Sequence, residues 1–513
     1  MAWLRFSEKS KLVLVLFFAF LVFTYKLGDI PLGVYSDETV VGYDAYSILY
    51  NFRDHWGKFL PVYFKFFGSY TPGLFVYLQT IPIKLLGLDS FSVRILSVLS
   101  MLSIAVAIFV FWKKSEVYKK SYLPLLSVFL FVISPWTVFN ARIGYETTFA
   151  FALISWGILL YKNPLLSFSL ISLSTYAGHS QRYLAPLVMG LIFFIFYFKK
   201  VPFKKILRPL IISVIIQIPN LILLFTPSFW VKNSSFSSNF WSQYISYFLP
   251  SNLFNGQDFD LQRSIPELSV FYFWMFIPWI AGFYAIYKNW KKPIYKYLFF
   301  LALISPIPAA LANTNYSTQR SLLLLLPYIL IISLGMDKIL VKIKSKTFIL
   351  FLFLVFLYSL ILLWRSYFVL LPAERNRAWN FGYEKLADFV VANSDKKFVI
   401  DNSRSVAYIE LLFFLKYNPI DFQRENNLFG NDYYRNISFS GNVNFSNIET
   451  RPIDWKTDVY KEEIMVGDVL SISDDQVREH CLDRVFEIDD LNGKVLLVGY
   501  KTNPEIKLRE LEK

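Results

Sequence analysis

The residues equipped for chemistry stand out because the chain around them is so apolar. Asp37 and Glu38 immediately precede VVGYDAYSILYNF, a segment with the look of a helix lying on a membrane surface. At its N-terminal end the helix dipole favours a negative charge. One reading of the pair is N-capping. The other is a general base held ionised by the dipole and neighbouring donors. Three arginines form the second group. Arg142 lies in PWTVFNARIGYETTF, four residues before Glu146, a spacing that places both on one helix face. Arg182 follows His179 by three residues in STYAGHSQRYLAP, and Arg320 precedes the apolar run SLLLLLP. Each arginine alone reads as an ion pair or a helix-end anchor. A lone histidine is more often a packed core residue than a ligand. Together, however, three guanidinium forks at separate helix ends suit a phosphate, whose oxygens they bind in pairs. A loop over 227–268, with Asp258, Asp260, Arg263 and Glu267, is polar and aromatic, as sugar or lipid contact requires.

The elements that must position these groups follow from composition. The 513 residues are 55% hydrophobic and 19% aromatic, and only 18% are charged. Soluble domains are about a quarter charged and cannot hide so much apolar surface. Disordered chains are poor in aromatics. A single cysteine, Cys481, excludes a disulfide scaffold, and three histidines exclude a His-rich metal protein. A polytopic membrane protein remains.

Apolar runs near 10–27, 91–112, 122–140, 147–161, 164–180, 183–198, 206–226, 268–287, 295–312, 321–337 and 347–370 predict about eleven transmembrane helices. The formal net charge of +14 suggests nucleic acid until it is located. Residues 1–370 carry +20, and residues 371–513 carry −6. With the N-terminus (Arg5, Lys9, Lys11) cytoplasmic, alternate loops hold 21 lysines and arginines, including Lys119, Lys120 and Lys344. The basicity is thus a topological signal, and no nucleic-acid partner is expected. An odd number of spans places 371–513 outside. TYKLGD lacks a small-residue cleavage site, so the first span is read as an uncleaved anchor.

The expected division is therefore a membrane domain over 1–370, with large outer loops at 28–90 and 227–268, and a soluble extracytoplasmic α/β domain over 371–513. In the latter, YEKLADFVVAN and VAYIELLFFLKYN predict helices. KKFVIDNS, GDVLSIS, RVFEID and KVLLVGYKT predict strands. Asp489 and Asp490 read as an acidic turn. His480 beside Cys481 reads as structural, being far short of a zinc site.

The stretch GVYSDETVVGYDAYSILYNFRDHWGKFLPVYFKFFGSYTPGLFVYL resembles the first outer loop of GT-C membrane glycosyltransferases, which include the protein O-mannosyltransferases and ArnT-like aminoarabinose transferases. SPWTVFNARIGYETTFAF and YAGHSQRYLAPL resemble later segments of the same group. The resemblance covers most of 1–370 and implies a GT-C-like fold, a polyprenyl-phosphate-linked sugar donor and an acceptor on the outer face. It puts Asp37 at the catalytic acidic position with Glu38 its neighbour. Arg182 and Arg320 become candidates for the carrier phosphate, with His179 and Arg142 as further donor-binding candidates and Glu146, Tyr43 and Tyr70 as supporting residues. Many relatives carry an acid and a lysine before Pro-Pro where this chain reads Ser69, Tyr70, Thr71, Pro72, Gly73. That departure leaves a divalent metal open as a cofactor and shifts phosphate recognition to the arginines.

The expected function is transfer of a hexosyl or pentosyl unit by inverting single displacement. Asp37 would take the acceptor proton, and the acceptor could be a lipid, glycan or protein. The expected location is the plasma (inner) membrane. The competing class is a lipid or glycan transporter or flippase, against which the chain offers no inverted repeat or matched pair of broken helices. No GxxxxGK[ST] loop for nucleotide is present.

Overall fold

The structure is a computed structural model, and it describes residues 7–117, 122–233, 237–312, 316–343, 345–426, 432–439 and 441–511. Arg5, Lys119, Lys120 and Lys344 of the loop-charge reading lie outside the described residues. The chain begins with α1 (Glu8–Thr24) and α2 (Ser36–Asn51), then a two-stranded sheet of β1 (Tyr63–Phe66) and β2 (Ser69–Pro72). Long apolar helices follow: α3 (Leu74–Leu86), α4 (Ser90–Lys113), α5 (Leu123–Ile133), α6 (Pro135–Ala141), α7 (Glu146–Leu159), α8 (Pro164–Ser174), α9 (Gln181–Phe198) and α10 (Lys204–Leu223). The 227–268 loop contains three short helices, α11 (Pro227–Trp230), α12 (Phe240–Ser246) and α13 (Pro250–Phe254). Then come α14 (Phe276–Lys288), α15 (Pro293–Ile304), α16 (Ile307–Leu311), α17 (Leu325–Lys342) and α18 (Lys346–Trp364).

Contacts divide the chain into two compact units. The first comprises residues 1–27, 71–75 and 94–371. Each of the eleven apolar stretches holds a helix. Among the described residues, six helices are long and apolar enough to cross a bilayer, or seven if α5 and α6, bent by 63°, count as one span. The bend falls at Ser134–Pro135. Proline disfavours helical geometry in the residue before it, and Ser134 is extended at ψ 133. Three further apolar helices, α3, α7 and α8, are shorter. This is a polytopic α-helical membrane protein. Within the unit α14 and α17 pack closely through glycines: a Cβ on Gly335 would lie 1.8 Å from the Pro278 carbonyl oxygen, and one on Gly282 would lie 2.0 Å from that of Ile331. Small residues of this kind let membrane helices approach closely.

The second unit comprises residues 28–70, 76–93 and 372–513. Residues 28–70 and 76–93, which sequence alone groups with the spans, thus pack with the C-terminal part. That part contains α19 (Leu371–Arg375), α20 (Tyr383–Ala392), β3 (Phe398–Ile400), α21 (Ala407–Phe414), α22 (Pro419–Glu425), β4 (Val443–Phe445), β5 (Ile448–Thr450), β6 (Ile464–Gly467), α23 (Asp474–Glu479), β7 (Asp483–Asp489), β8 (Val495–Lys501) and α24 (Pro504–Leu511). The six strands form one sheet in the order β4-β5-β3-β6-β8-β7, with β3 parallel to both β5 and β6 and the other pairs antiparallel. The unit is the expected α/β domain. Two details are corrected. GDVLSIS is not a strand: β6 ends at Gly467, because the Asp468 carboxylate accepts the N–H groups of Leu470 and Ser471 and turns the chain. Nor is α2 a helix with one exposed polar face. Every residue from Glu38 to Ala45 is buried, and Gly42 sits so tightly that a Cβ there would meet Phe413 and Val93 at 2.8 Å.

Candidate functional site

In the first unit Arg182, Arg320 and Lys232 all act electrostatically on one buried ring, that of His179. His179 lies in the connection between α8 and α9, outside both helices, and Arg182 sits in the first turn of α9. Both His179 ring nitrogens are buried, and among the described residues neither has a hydrogen-bond partner. Burial comes first, and the charges of Lys232, Arg182 and Arg320 add to it. Together they hold the imidazole well below its ordinary pKa, so it stays neutral. Arg182 and His179 therefore face each other electrostatically without sharing a helix face. Arg182 donates to the Phe229 carbonyl at 2.7 Å and lies over the Phe229 ring at 4.4 Å, which aims its guanidinium.

Arg320 ends a turn that several distant residues fix. Asp258 accepts from the Thr318 N–H at 2.7 Å and from its hydroxyl at 2.9 Å. The Tyr247 hydroxyl accepts from the Ser317 N–H at 2.9 Å, and the Trp136 indole donates to the Thr318 carbonyl at 3.2 Å. Asp258 comes from the polar loop that the sequence reading linked to sugar or lipid contact, and Trp136 from the SPW segment. Together they fix the turn that ends at Arg320. Arg263 also bears on Arg320 and donates to Ser317 at 3.5 Å. Arg263 is itself paired with Asp260 at 3.2 Å.

Lys232 is the member that sequence reasoning missed. It sits in the turn Val231–Asn233, and its Nζ donates to the Thr71 hydroxyl at 3.5 Å. Thr71 lies in the stretch 69–73, and Lys232 reaches it from 161 residues away. No local pattern could have announced this.

Arg142 is placed differently. It is fully buried, and its guanidinium donates to the carbonyls of Val22 at 3.0 Å, Phe23 at 2.8 Å and Lys26 at 3.3 Å, while stacking over Tyr367 and Phe368. Those carbonyls close the C-terminal end of α1, so Arg142 acts there as a cap. The expectation that Arg142 and Glu146 share a helix face is overturned. Arg142 is the C-cap of α6 and Glu146 opens α7, so a break separates them. Glu146 is buried.

In the second unit Asp37 occupies the second position of α2 and is half-buried. Glu38, fully buried, turns back to accept the Tyr35 N–H at 3.1 Å. Glu38 thus closes the first turn, and Asp37 sits beside it at the positive end of the helix. The Thr39 hydroxyl donates to Glu410 at 3.3 Å, and the Asn380 amide donates to Glu410 at 2.7 Å and to Ser36 at 3.0 Å. Tyr43 donates to the Tyr417 carbonyl at 2.9 Å, and Tyr70 donates to the carbonyls of Tyr433 and Asn436. Both tyrosines anchor the first loop to the C-terminal residues. His480 stacks on Trp455. Among the described residues no group of three or more His, Cys, Asp or Glu side chains is arranged to hold a metal ion.

No family model and no curated protein matches the chain. Solved structures do. The crystal structure of ArnT from Cupriavidus metallidurans in the apo state matches with a TM-score of 0.56 at 10% identity, over 98% of this chain and 99% of that one. The same protein bound to undecaprenyl phosphate matches with a TM-score of 0.59 at 11% identity, over 96% and 98%. An Archaeoglobus fulgidus oligosaccharyltransferase tethered with an acceptor peptide matches with a TM-score of 0.50 at 13% identity, over 97% of this chain and 74% of that one. Near-complete coverage in both directions shows a shared architecture despite the low identity: the chain has a GT-C-like fold.

Proposed function

We propose that the protein is an integral-membrane glycosyltransferase that moves a sugar from a polyprenyl-phosphate carrier to a hydroxyl acceptor on the outer face of the membrane. The observation that carries this reading is the set Arg182, Lys232 and Arg320 around a neutral His179, in a fold similar to one crystallised with undecaprenyl phosphate. Three cations with a polar but uncharged imidazole suit a phosphate that must be held and then released.

The chemistry would be a single displacement. The acceptor oxygen forms a bond to the anomeric carbon as the bond from that carbon to the phosphate oxygen breaks, which inverts the centre. Asp37 accepts the hydroxyl proton, its anionic form favoured by the N-terminal end of α2. Negative charge grows on the departing lipid phosphate, where Arg182 and Arg320 stabilise it and Lys232 assists. Glu38 serves Asp37 indirectly by closing the first turn of α2. The acceptor class, whether lipid headgroup, glycan or protein, is chosen elsewhere in the molecule.

The test is transfer by the purified protein in detergent from a panel of polyprenyl-phosphate sugars to hydroxyl acceptors. Transfer by the wild-type chain and its loss in folded Asp37→Asn supports the reading. Equal transfer by Asp37→Asn would remove Asp37 as the base. Binding of the carrier without transfer from any donor would favour a transporter.

A further inference from the structure

The sheet of the second unit contains a feature that the proposed transfer step does not use. β3 and β6 are adjacent and parallel. From the end of β3 the chain leaves through α21 and α22 toward β4 and β5 on one side. From the end of β6 it leaves through α23 toward β7 and β8 on the other. The connections therefore diverge between these two strands. In open α/β sheets such a divergence at the carboxyl ends opens a crevice, and ligands bind there.

A crevice of about 140 Å³ lies at that point, lined by the residues that end the two strands and by the segment preceding α20. Its walls carry two guanidiniums and two carboxylates. Arg377 and Arg404 each come to 3.8 Å from the same Asp468 oxygen, at the edge of ion-pair range, and both are at least half exposed. The other Asp468 oxygen accepts from the Leu470 and Ser471 N–H groups, so its direction is set. Asp401 is oriented by the Ser403 hydroxyl at 2.8 Å and the Ser471 hydroxyl at 2.7 Å. Phe381 and Tyr383 add aromatic faces, and the Tyr383 hydroxyl donates to Ser405 at 2.6 Å.

We infer that this crevice binds a saccharide unit. A sugar hydroxyl donates and accepts at once, so carboxylates and guanidiniums side by side serve it from both directions. The C–H face of a pyranose packs on an aromatic ring. The charges of the two arginines and two aspartates offset, which suits a neutral polyol. A phosphate or sulfate would meet the carboxylates of Asp401 and Asp468 beside the arginines, and repulsion would offset much of its gain. The long Arg–Asp468 distances leave guanidinium donors for a ligand to engage.

The test uses the full chain in detergent and saturation-transfer difference NMR with methyl glycosides of hexoses, N-acetylhexosamines and uronic acids, with inorganic phosphate and sulfate as competitors. At least one glycoside is expected to bind, and Arg404→Ala and Asp468→Asn are each expected to weaken it about tenfold or more, the loss of one charge-assisted hydrogen bond. Arg377→Ala, a change at an exposed head, reads the same site without touching the sheet. The surface change Arg424→Ala is expected to leave binding intact, and binding is read here with no donor present, so it does not depend on transfer. The proposal is overturned if no glycoside signal responds to the Arg377, Arg404 and Asp468 variants, or if phosphate or sulfate displaces the glycoside at lower concentration than a second glycoside does.

Discussion

One oxygen of Asp44 lies 2.6 Å from His55 Nδ1 and also accepts the His55 backbone N–H at 2.9 Å, with both side chains fully buried. Asp44 belongs to α2, the helix that carries Asp37, and His55 to the loop that follows it. The same pocket continues through Asp54, which accepts from Tyr433 and from the Lys58 N–H, and through Gln423, which donates to the Asp54 carbonyl at 2.9 Å. Asp44→Ala strands His55 in a buried site. Leaving a buried hydrogen-bonding group without its partner typically costs about 1–3 kcal/mol. A lowered melting temperature in detergent is expected, and an unchanged one would show that the pair does not hold α2.

Two buried carboxyl groups in this unit set the pH dependence of its stability. Burial pushes Glu410 up to about 8 and Asp54 up to about 7, against ordinary values near 4. The folded state therefore keeps protons that the unfolded chain releases, so stability is highest below the ordinary carboxyl range and falls as pH rises toward 7–8. Each group contributes a slope of up to about 1.4 kcal/mol per pH unit within its window. Glu410→Gln is expected to flatten the melting-temperature profile between pH 5 and 8. The same slope in the variant would assign the effect to other groups.

The arginines are expected to separate into two classes. Arg182→Ala and Arg320→Ala should fold normally and lose about 10²–10³ in transfer rate, the loss typical of one preorganised charge-stabilising donor. Arg142→Ala should instead fail in folding, because the carbonyls of Val22, Phe23 and Lys26 lose their buried donor. Size-exclusion profiles alongside transfer rates distinguish these outcomes. A well-folded Arg142→Ala protein with poor transfer would move Arg142 into the phosphate site.

Lys232→Met tests whether that lysine replaces the one missing from 69–73. It keeps the length of the side chain and removes the charge. The expected result is a rise of about tenfold in the donor concentration for half-maximal rate, as for loss of a charge-assisted contact. No change in donor dependence would reduce Lys232 to a surface residue.

Gly335→Ala probes the packing of α14 on α17. The added carbon would overlap the Pro278 carbonyl oxygen. Backbone cannot yield as a side-chain tip can, so the helices must part. A drop in melting temperature is expected there, whereas Gly190→Ala, which meets nothing within 4 Å, should be neutral.

The apolar stretches, the acidic α/β tail and the helix start at Asp37 and Glu38 were all legible in the sequence. Hydrophobic runs, alternation and helix-start signals are local properties, written within one or two turns of chain. Tertiary structure decided the rest. It sent Arg142 to the end of α1 while Arg182 and Arg320 came to bear on one histidine, although all three look alike in sequence. It brought Lys232 to Thr71, buried α2 among C-terminal helices, and made the crevice between β3 and β6. Each depends on pairing of residues far apart along the chain. Such pairings follow from packing of whole elements, which no local window of residues contains.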